Sequence, residues 1–437
     1  MLLIQEILNK LGIEQLNEMQ LQAHKTIRTG SNTLILSPTG SGKTLAYLLP
    51  VLEKINPSDA RVQAVILVPS RELALQTHQV AARIGGVRTL PLYGGRSAME
   101  DHRDIKAKQP QVVIATPGRI LDHLTKGNVV ADAVMTLVID EFDKSLELGF
   151  HDEMKAVADF LTHVRQRILL SATDSDDLPG FIGDMRNAQR LDYRDKQQAS
   201  QRIWEYVVQS PVKDKLETLG VLLRSLGSRR SIVFLGFRES VERVENYLAR
   251  MGFGVTSFHG GMEQKIRERN LFRFVSGSAN ILVSTDLASR GLDIPAVDNA
   301  IHYHLPMNAE TYTHRIGRTA RWDAEGASYL ILGPEEQWDG TEEMTRWEAP
   351  EKLPMVEQPV WETLYIGRGK RDKLSRGDVA GFLMRVADLE KQDVGQITLH
   401  DHHAFVAITR TRVSETLARI RNQKIKGMKT IIERAMY

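Results

Sequence analysis

Short runs of apolar, mostly β-branched residues alternate along this chain with longer segments of helical periodicity. The runs are TLILS, AVILVPS, VVIATP, TLVIDE and RILLSAT in the first half, and SIVFLGF, NILVSTD and ASYLILG in the second. Strands separated by helices predict parallel sheets with crossover connections. The runs show little polar alternation, as expected when helices cover both faces of a sheet. The predicted fold class is therefore α/β, with one parallel sheet in each half.

The chain is too long for a single core, so two or three domains are expected from its 437 residues. A polar stretch, RDKQQASQR, separates the halves, and an acidic, proline-rich stretch follows the strand ASYLIL. Short strands and two helical stretches after it predict a small α+β domain. The predicted segments are a first domain at 1–195, a linker at 196–210, a second domain at 211–345, a linker at 346–360 and a third domain at 361–437.

Composition narrows the class of protein. The chain has no cysteine, which excludes disulfides, thiolate zinc sites and cysteine nucleophiles and favours a cytoplasmic location. Its apolar stretches are shorter than the roughly 20 residues that span a bilayer, so no membrane partner is expected. From Trp361 onward there are fifteen Lys and Arg against nine Asp and Glu. This basic tail is suited to holding a polyanion.

A glycine-rich stretch follows the first strand and opens a helical segment. It runs Ser37-Pro-Thr-Gly-Ser-Gly-Lys-Thr44. Its glycines let the backbone wrap closely around phosphates, Lys43 supplies charge to the β and γ phosphates, and the Thr44 hydroxyl suits Mg²⁺. The stretch predicts an ATP site. Its predicted phosphate-binding residues are Thr39, Gly40, Ser41, Gly42, Lys43 and Thr44.

An acidic pair and an arginine-rich segment complete the predicted chemistry. Asp140 and Glu141 follow the strand TLVI; Asp140 would join Thr44 in holding Mg²⁺, while Glu141 would orient or deprotonate the attacking water. The segment His314-Arg-Ile-Gly-Arg-Thr-Ala-Arg321 carries three arginines, which can neutralise charge that develops on the γ-phosphate. Lys43, Asp140, Glu141, Arg318 and Arg321 are the predicted catalytic residues.

Together these stretches resemble the DEAD-box family of superfamily 2 helicases over roughly the first 335 residues. The further matching stretches are Val68-Pro-Ser-Arg-Glu-Leu-Ala74, Gly94-Gly95, Thr116-Pro-Gly-Arg119, Ser171-Ala-Thr173, His259-Gly260 and Ser284-Thr-Asp-Leu-Ala-Ser-Arg-Gly-Leu-Asp293. The resemblance implies two tandem RecA-like domains around an ATP cleft. Several positions depart from the family pattern. Phe142 occupies the place of the alanine that gives the family its name, and the others are Leu3 for an aromatic residue, Asn17-Glu18 for Pro-Thr, Gly236-Phe237 for Asn-Thr and Ala320 for glycine.

The resemblance also implies roles for individual residues. Gln20 would bind the adenine edge, Asp293 the ribose, and Arg318 and Arg321 the γ-phosphate. The implied contacts to the RNA sugar-phosphate backbone are Pro69, Arg71, Gly94, Gly95, Thr116, Arg119 and Thr285. The residues implied to couple hydrolysis to lobe closure are Asp143, Ser171, Thr173 and His314.

The tail resembles the RRM-like RNA-binding domain of DbpA-type bacterial helicases, which implies large-subunit ribosomal RNA as the target. The matching stretches are Thr363-Leu-Tyr-Ile-Gly-Arg-Gly-Lys370, Arg376-Gly-Asp-Val-Ala-Gly381, Val394-Gly-Gln-Ile-Thr398, Ala404-Phe-Val-Ala407 and Lys424-Ile-Lys-Gly427. Tyr365 and Phe405 are the aromatic residues that could stack on bases. Phosphate contacts are predicted from Arg410, Arg412, Lys424, Lys426 and Lys429.

Two histidine groups have spacings that could hold a metal, His302-Tyr-His304 and Asp401-His402-His403. Because the chain lacks cysteine and the sequence shows no further ligand cluster, we interpret them as structural histidines.

The predicted function is that of an RNA-dependent ATPase and RNA helicase that uses ATP and Mg²⁺ to remodel short duplexes, in ribosomal RNA maturation or ribosome assembly. Two alternatives remain open. One is a DNA helicase or translocase on the same fold. The other is an ATP-gated RNA clamp or assembly scaffold with little unwinding, in which Phe142 beside Glu141 slows turnover.

Overall fold

The computed structural model describes residues 4–38, 41–95, 97–174, 178–183, 185–194, 203–286, 294, 297–319 and 325–435. The chain divides into two compact units, residues 1–201 with 290–293, and residues 202–289 with 294–437. We call the first unit the first lobe. The second unit holds the second lobe, up to Arg346, and the tail, from Trp361. The predicted break near residue 195 lies outside the described residues.

The first lobe is a seven-stranded parallel sheet in the order β3-β4-β2-β5-β6-β1-β7. Its strands are β1 Thr33–Leu36, β2 Ala64–Leu67, β3 Thr89–Leu92, β4 Val112–Ala115, β5 Thr136–Ile139, β6 Gln166–Ser171 and β7 Gln189–Asp192. Its helices are α1 Ile4–Leu11, α2 Glu18–Arg28, α3 Lys43–Lys54, α4 Arg71–Ile84, α5 Ala98–Lys108, α6 Pro117–Thr125, α7 Phe142–Glu147 and α8 His151–Phe160.

The central strands are buried on both faces, which explains their unbroken apolar runs. Successive side chains of β2 enter separate apolar clusters, Ile66 on one face of the sheet and Val65 on the other. Polar side chains cap two of the helices, α2 and α4: Asn17 accepts a hydrogen bond from the backbone N–H of Gln20, and Ser70 accepts one from that of Leu73. Such caps satisfy N–H groups that a helix leaves unpaired at its start. Ser70 thus fixes the start of α4 at the end of the loop that follows β2.

The second lobe repeats this architecture. Its sheet is parallel in the order β10-β11-β9-β12-β13-β8-β14, so each strand stands seven places after its counterpart in the first lobe. Its strands are β8 Ile203–Gln209, β9 Ser231–Leu235, β10 Val255–Phe258, β11 Ile281–Thr285, β12 Asn299–His302, β13 Gly326–Leu332 and β14 Thr345–Arg346. Its helices are α9 Leu216–Leu226, α10 Arg238–Arg250, α11 Gln264–Val275 and α12 Ala309–Ile316. The predicted pair of parallel sheets is confirmed.

The tail is a small α+β domain, as predicted. An antiparallel sheet has the order β16-β17-β15-β20, and a separate hairpin pairs β18 with β19. The strands are β15 Trp361–Ile366, β16 Val394–Leu399, β17 Ala404–Thr409, β18 Lys424–Ile425, β19 Met428–Lys429 and β20 Ile432–Arg434, and the helices are α13 Arg376–Val386 and α14 Val413–Ile420. No helix in the described part of the chain is long and apolar enough to cross a membrane.

Candidate nucleotide and RNA site

The strand order of the first lobe sorts the predicted site residues into two groups. Strands β5, β6 and β1 are neighbours, and they lead into the acidic pair, Ser171 and the phosphate loop. Strands β3, β4 and β2 are neighbours on the other side, and they lead into the predicted RNA contacts. All these strands are parallel, so their carboxyl ends share one edge, where open α/β sheets bind ligands. One half of that edge therefore carries the nucleotide candidates and the other half the RNA candidates.

The phosphate loop leads directly into α3, whose first residue is Lys43. Gly42 has φ +85°, and a Cβ there would lie 2.4 Å from Nε2 of Gln20, so glycine is required on both counts. The Lys43 ammonium is buried and donates to the Ser37 carbonyl over 2.6 Å. The Ser41 hydroxyl is buried without a hydrogen-bond partner among the described residues. A buried donor beside an ammonium and a helix N-terminus fits a phosphate oxygen.

Gln20 lies against this loop. Its side-chain oxygen accepts from the Asn17 backbone N–H at 2.9 Å, and its amide nitrogen donates to the Gly42 carbonyl at 3.2 Å. Asn17 adds a second link, because its side-chain amide donates to the Ser41 carbonyl at 3.1 Å. The structure thus brings Gln20 to the phosphate loop, and its binding of adenine stays a prediction. Thr39 and Gly40 lie outside the described residues.

Asp140 is a buried carboxylate with two donors. The Tyr47 hydroxyl donates to Oδ2 at 3.1 Å, and the Glu141 backbone N–H donates to Oδ1 at 2.9 Å. Burial raises the pKa of Asp140, and the nearby charge of Lys43 opposes that rise. The sequence interpretation missed Tyr47; its only signal was a polar atom within the apolar run LAYLLPVL. Thr44 and Asp140 offer oxygen atoms alone, the donor type that Mg²⁺ prefers, so the residues fit that ion.

Glu141 has a backbone conformation that ordinary residues avoid. Its φ of +49° and ψ of +54° are left-handed, at a cost of about 1 kcal/mol for a side chain with a Cβ. Such strain persists where the surroundings hold a residue in place, and it concentrates at functional sites. The following residue, Phe142, is 2% exposed and belongs to the apolar cluster on one face of the sheet. Its ring therefore fills the core.

The structure brings together three of the four predicted coupling residues. Oδ2 of Asp143 accepts from the backbone N–H of Thr173 at 3.3 Å and from its hydroxyl at 3.2 Å. The Ser171 hydroxyl donates to the Thr173 carbonyl at 2.6 Å. The segment after β6 is thus tied to the helix that follows the acidic pair. The fourth residue, His314, is buried in the second unit.

On the RNA half of the edge, Arg71 lies over the turn at Gly94 and Gly95. Gly95 has φ +92°, and a Cβ there would lie 2.4 Å from Nη1 of Arg71. Pro69 lies two residues before Arg71, in the loop after β2. The Thr116 backbone N–H donates to the carbonyl of Leu92, the last residue of β3, at 3.0 Å. The predicted contacts that follow β2, β3 and β4 are therefore adjacent.

Arg119 is held differently from the other predicted RNA contacts. Its Nε donates over 2.7 Å to the carboxylate of Asp101, whose side chain is 1% exposed. A phosphate would have to share this guanidinium with a buried carboxylate. Its role in RNA binding stays a prediction.

The arginine-rich segment of the second lobe contains one arginine with an internal role. Arg315 is 1% exposed and makes a two-point contact with Asp286, at 2.6 Å from Nε and 3.2 Å from Nη2. Its Nη1 donates to the His304 carbonyl at 2.8 Å. Arg318 is also buried, and Thr285 ends β11. Arg321 and Asp293 lie outside the described residues.

We expect Arg315→Lys to weaken the second lobe. An ammonium cannot reproduce the two-point contact, so the change should lower the free energy of unfolding by about 2 kcal/mol. All five tryptophans lie between residues 204 and 361, and tryptophan fluorescence during urea unfolding therefore reports the second unit. The exposed Arg229→Lys is the matched control. Equal midpoints for the two variants would contradict the structural role.

Three known protein families match successive parts of this chain. The family described as DEAD/DEAH box helicase matches residues 17–178, the Helicase conserved C-terminal domain matches 214–323, and the DbpA RNA binding domain matches 363–434. The chain is 33% identical over 432 residues to the ATP-dependent RNA helicase DbpA of Escherichia coli (strain K12), covering 96% of this chain and 94% of that protein. The chain belongs to the DEAD-box family of ATP-dependent RNA helicases. The family predicted from the motifs is confirmed.

Other proteins similar to this DEAD-box helicase are also RNA helicases or are solved with bound RNA. It is 32% identical to the ATP-dependent RNA helicase CshA of Listeria monocytogenes, over 82% of this chain and 69% of that protein. Saccharomyces cerevisiae Dbp5 bound to RNA and ADP BeF3 matches with a TM-score of 0.68 and 27% identity, over 78% of this chain and 92% of that one. The helicase Mss116 bound to ssRNA and UDP-BeF matches with a TM-score of 0.69 and 26% identity, over 80% and 78%. This helicase is thus an RNA-dependent ATPase that binds RNA.

The predicted tail contacts of the helicase fall into two groups. Arg410 is tied down, because it donates to the carbonyls of Pro359 and Trp361, and burial lowers its pKa. Arg412 donates to the Asp388 carbonyl, and Lys426 pairs with Asp378 at 2.9 Å. Lys424 and Lys429 differ. They face each other across the β18–β19 hairpin, both exposed, and neither side chain has a hydrogen bond or ion pair among the described residues.

The aromatic face of the tail sheet is covered. Phe405 is 2% exposed and stacks on Phe272 of α11, with ring centroids 5.5 Å apart. Tyr365 and Trp361 pack beside this pair, and the Thr363 hydroxyl donates to that of Ser278 in the second lobe. The opposite face of the sheet packs on the tail's own helices. Phe405 therefore belongs to a domain interface, and stacking on RNA bases is not the role its contacts support.

Proposed function

We propose that Lys43, Gln20 and Asp293 bind ATP, with Thr39, Gly40, Ser41, Gly42 and Thr44 around its phosphates. Thr44 and Asp140 would hold Mg²⁺, which when bound supplies charge neutralisation at the phosphates. Glu141 orients the attacking water and accepts its proton. Arg318 and Arg321 place positive charge on the γ-phosphate as it departs.

RNA binding gates this reaction. Pro69, Arg71, Gly94, Gly95, Thr116, Arg119 and Thr285 hold the sugar-phosphate backbone, which gives affinity without base selection. The observation that supports the proposal is the strand order of the first lobe, since the residues proposed to contact RNA and those proposed to contact the nucleotide follow neighbouring strands of one sheet edge. Asp143, Ser171 and Thr173, joined by hydrogen bonds next to the acidic pair, transmit lobe closure together with His314. Closure around one strand separates a short duplex.

We infer that the natural substrate is a structured segment of large-subunit ribosomal RNA, remodelled in the cytoplasm during ribosome assembly. One observation supports this target, and a second supports the binding of RNA by the tail. The tail matches a DbpA-type RNA-binding domain, and its hairpin presents Lys424 and Lys429 directly opposite each other. Like charges at opposed positions destabilise a hairpin, and an anionic partner removes that cost.

The decisive experiment compares ATP hydrolysis with four nucleic acids of equal length. These are a hairpin fragment of large-subunit ribosomal RNA, its scrambled counterpart, unstructured RNA and single-stranded DNA. We expect strong stimulation by RNA, the lowest half-saturating concentration with the ribosomal hairpin, and little stimulation by DNA. Equal stimulation by DNA would favour the alternative translocase. Equal response to the scrambled hairpin would contradict the ribosomal target and leave the helicase assignment intact.

The alternative of an RNA clamp with little unwinding loses its main support. It rested on a large side chain at position 142 slowing hydrolysis at the adjacent Glu141. The ring of Phe142 lies in the apolar core of the first lobe. We therefore expect ATP-dependent strand displacement of a short duplex. Stable, ATP-dependent binding without strand loss would restore the clamp.

Substitution of the two opposed hairpin lysines should change how salt affects RNA binding. With Lys424→Ala and Lys429→Ala combined, the slope of log affinity against log salt should become less negative by about 1.4, since each lost phosphate contact on a single strand contributes about 0.7. Filter binding across a salt series measures this slope. Replacement of both by arginine should keep the slope, and Lys391→Ala, another exposed tail lysine, is the matched control. If the double alanine variant has the same slope as the wild-type chain, Lys424 and Lys429 do not contact RNA phosphates.

A further inference from the structure

Three possible metal ligands meet where the tail contacts the second lobe. Glu268 lies on α11, while His400 and His403 flank the turn between β16 and β17, which is closed by a 2.8 Å hydrogen bond from the His400 N–H to the His403 carbonyl. Each side chain contributes one ligand atom, and these atoms all lie within 4.8 Å of one another. Within the part of the chain that the structure describes, this is the one group of three such side chains.

The separations suit a small ion. Oε2 of Glu268 lies 3.3 Å from Nδ1 of His400 and 3.6 Å from Nε2 of His403. Two ligands on a tetrahedral ion with bonds of roughly 2.0–2.1 Å lie roughly 3.3–3.4 Å apart. Both contacts to the carboxylate are therefore close to the edge of such a tetrahedron. The two imidazole rings are stacked, with centroids 4.5 Å apart and planes 10° from parallel, so at least one ring must turn about its side-chain bonds for both nitrogens to face one ion. Their ligand nitrogens are already within 4.8 Å of each other.

The polar atoms at this place need a partner. His403 is 6% exposed, and its Nε2 has no hydrogen bond among the described residues. The Glu268 carboxylate is 3.6 Å away, and a buried nitrogen without a hydrogen bond is costly in a folded protein and requires an explanation. The other oxygen of Glu268 accepts from Nε2 of Gln264 at 3.1 Å, which turns Oε2 toward the histidines. A carboxylate oriented by a neighbour is a common feature around bound metals.

We propose that Glu268, His400 and His403 bind one divalent ion of the zinc class, which fastens the tail to the second lobe. Two imidazole nitrogens and a carboxylate are a known zinc ligand set, whereas Mg²⁺ prefers oxygen alone. The ion would lie beside the stacked rings of Phe272 and Phe405. It would hold the tail, with Lys424 and Lys429 of its hairpin, in a fixed orientation on the second lobe. This metal site goes beyond the proposed function and does not depend on it.

The test is direct metal binding by the full-length chain after treatment with a chelator. Zn²⁺ binding is measured by equilibrium dialysis in excess Mg²⁺, and Co²⁺ binding by its visible absorption, which distinguishes tetrahedral from octahedral sites. The chain has no cysteine, so thiolates contribute to neither signal. We expect one ion per chain. Outer-shell changes alone cost 10–100-fold in affinity, and loss of a ligand in His403→Ala or Glu268→Gln should cost at least about 100-fold.

His402→Ala is the matched control, because His402 is exposed in the same turn. It should bind the ion like the wild-type chain. Glu268→Gln keeps the size of the side chain and guards against a folding defect in His403→Ala, and the thermal midpoint without metal shows whether each variant folds. Zn²⁺ should raise that midpoint in the wild-type chain and in His402→Ala only. No saturable binding by the wild-type chain, or equal affinity in the ligand variants, would overturn the proposal.

Discussion

Glu141→Gln is expected to lower the RNA-stimulated turnover number by about 100- to 1,000-fold while ATP and RNA still bind. The amide has the shape of the carboxylate and keeps the left-handed backbone, but it cannot accept a proton from water. General-base catalysis contributes 10²–10⁴-fold in typical enzymes, so loss of the base should have an effect of this size. Single-turnover hydrolysis measures the chemical step, and a fluorescent ATP analogue measures binding.

The matched control for this change is Glu147→Gln, because Glu147 is an exposed glutamate at the end of α7, the short helix that follows Glu141, and pairs with Lys144. It should hydrolyse ATP like the wild-type chain. A Glu141→Gln variant that retained full hydrolysis would remove Glu141 from the reaction. A variant that lost ATP affinity instead would place this side chain in ground-state binding.

Phe142→Ala should destabilise the first lobe by about 3–5 kcal/mol, although it restores the alanine typical of the family. The ring is 2% exposed among buried apolar side chains, and deletion of a buried ring removes apolar burial and leaves a cavity. The first lobe has no tryptophan, so its unfolding is seen by far-UV circular dichroism without a matching change in tryptophan fluorescence.

Phe160→Ala provides the comparison for this prediction. Phe160 ends a helix of the same lobe and is 43% exposed, so its loss should cost much less. Similar stability of the two variants would mean that the core has not adapted to the ring at position 142. In that case Phe142 would have to be explained by the chemistry of the neighbouring glutamate.

Much of the fold and of the ATP site could be predicted because short stretches of sequence indicate them. Uninterrupted apolar runs indicated strands covered on both faces, and the glycines of the phosphate loop indicated a backbone that most residues cannot adopt. Gly42 bears this out with its positive φ and its close approach to Gln20. Strand order could not be predicted, because it depends on packing between segments far apart in the chain.

The sequence also could not predict the roles of residues whose partners lie far away in the chain. Arg315 and Arg318 stand in one motif, and only the contact with Asp286 shows that Arg315 has an internal role. Phe405 has the position of a base-stacking aromatic, yet α11 covers it. The histidines near residue 402 looked structural because their carboxylate neighbour, Glu268, belongs to another domain.

We propose that ATP and RNA together close the two lobes and that closure brings Arg318 and Arg321 to the γ-phosphate. Because the chain has no cysteine, Lys155→Cys and Asn246→Cys, exposed positions on α8 and α10, allow specific attachment of a donor and an acceptor dye. Single-molecule energy transfer should shift to one new population only when a nonhydrolysable ATP analogue and RNA are both present. A transfer efficiency that stays the same with both ligands, or that changes fully with either ligand alone, would contradict the account.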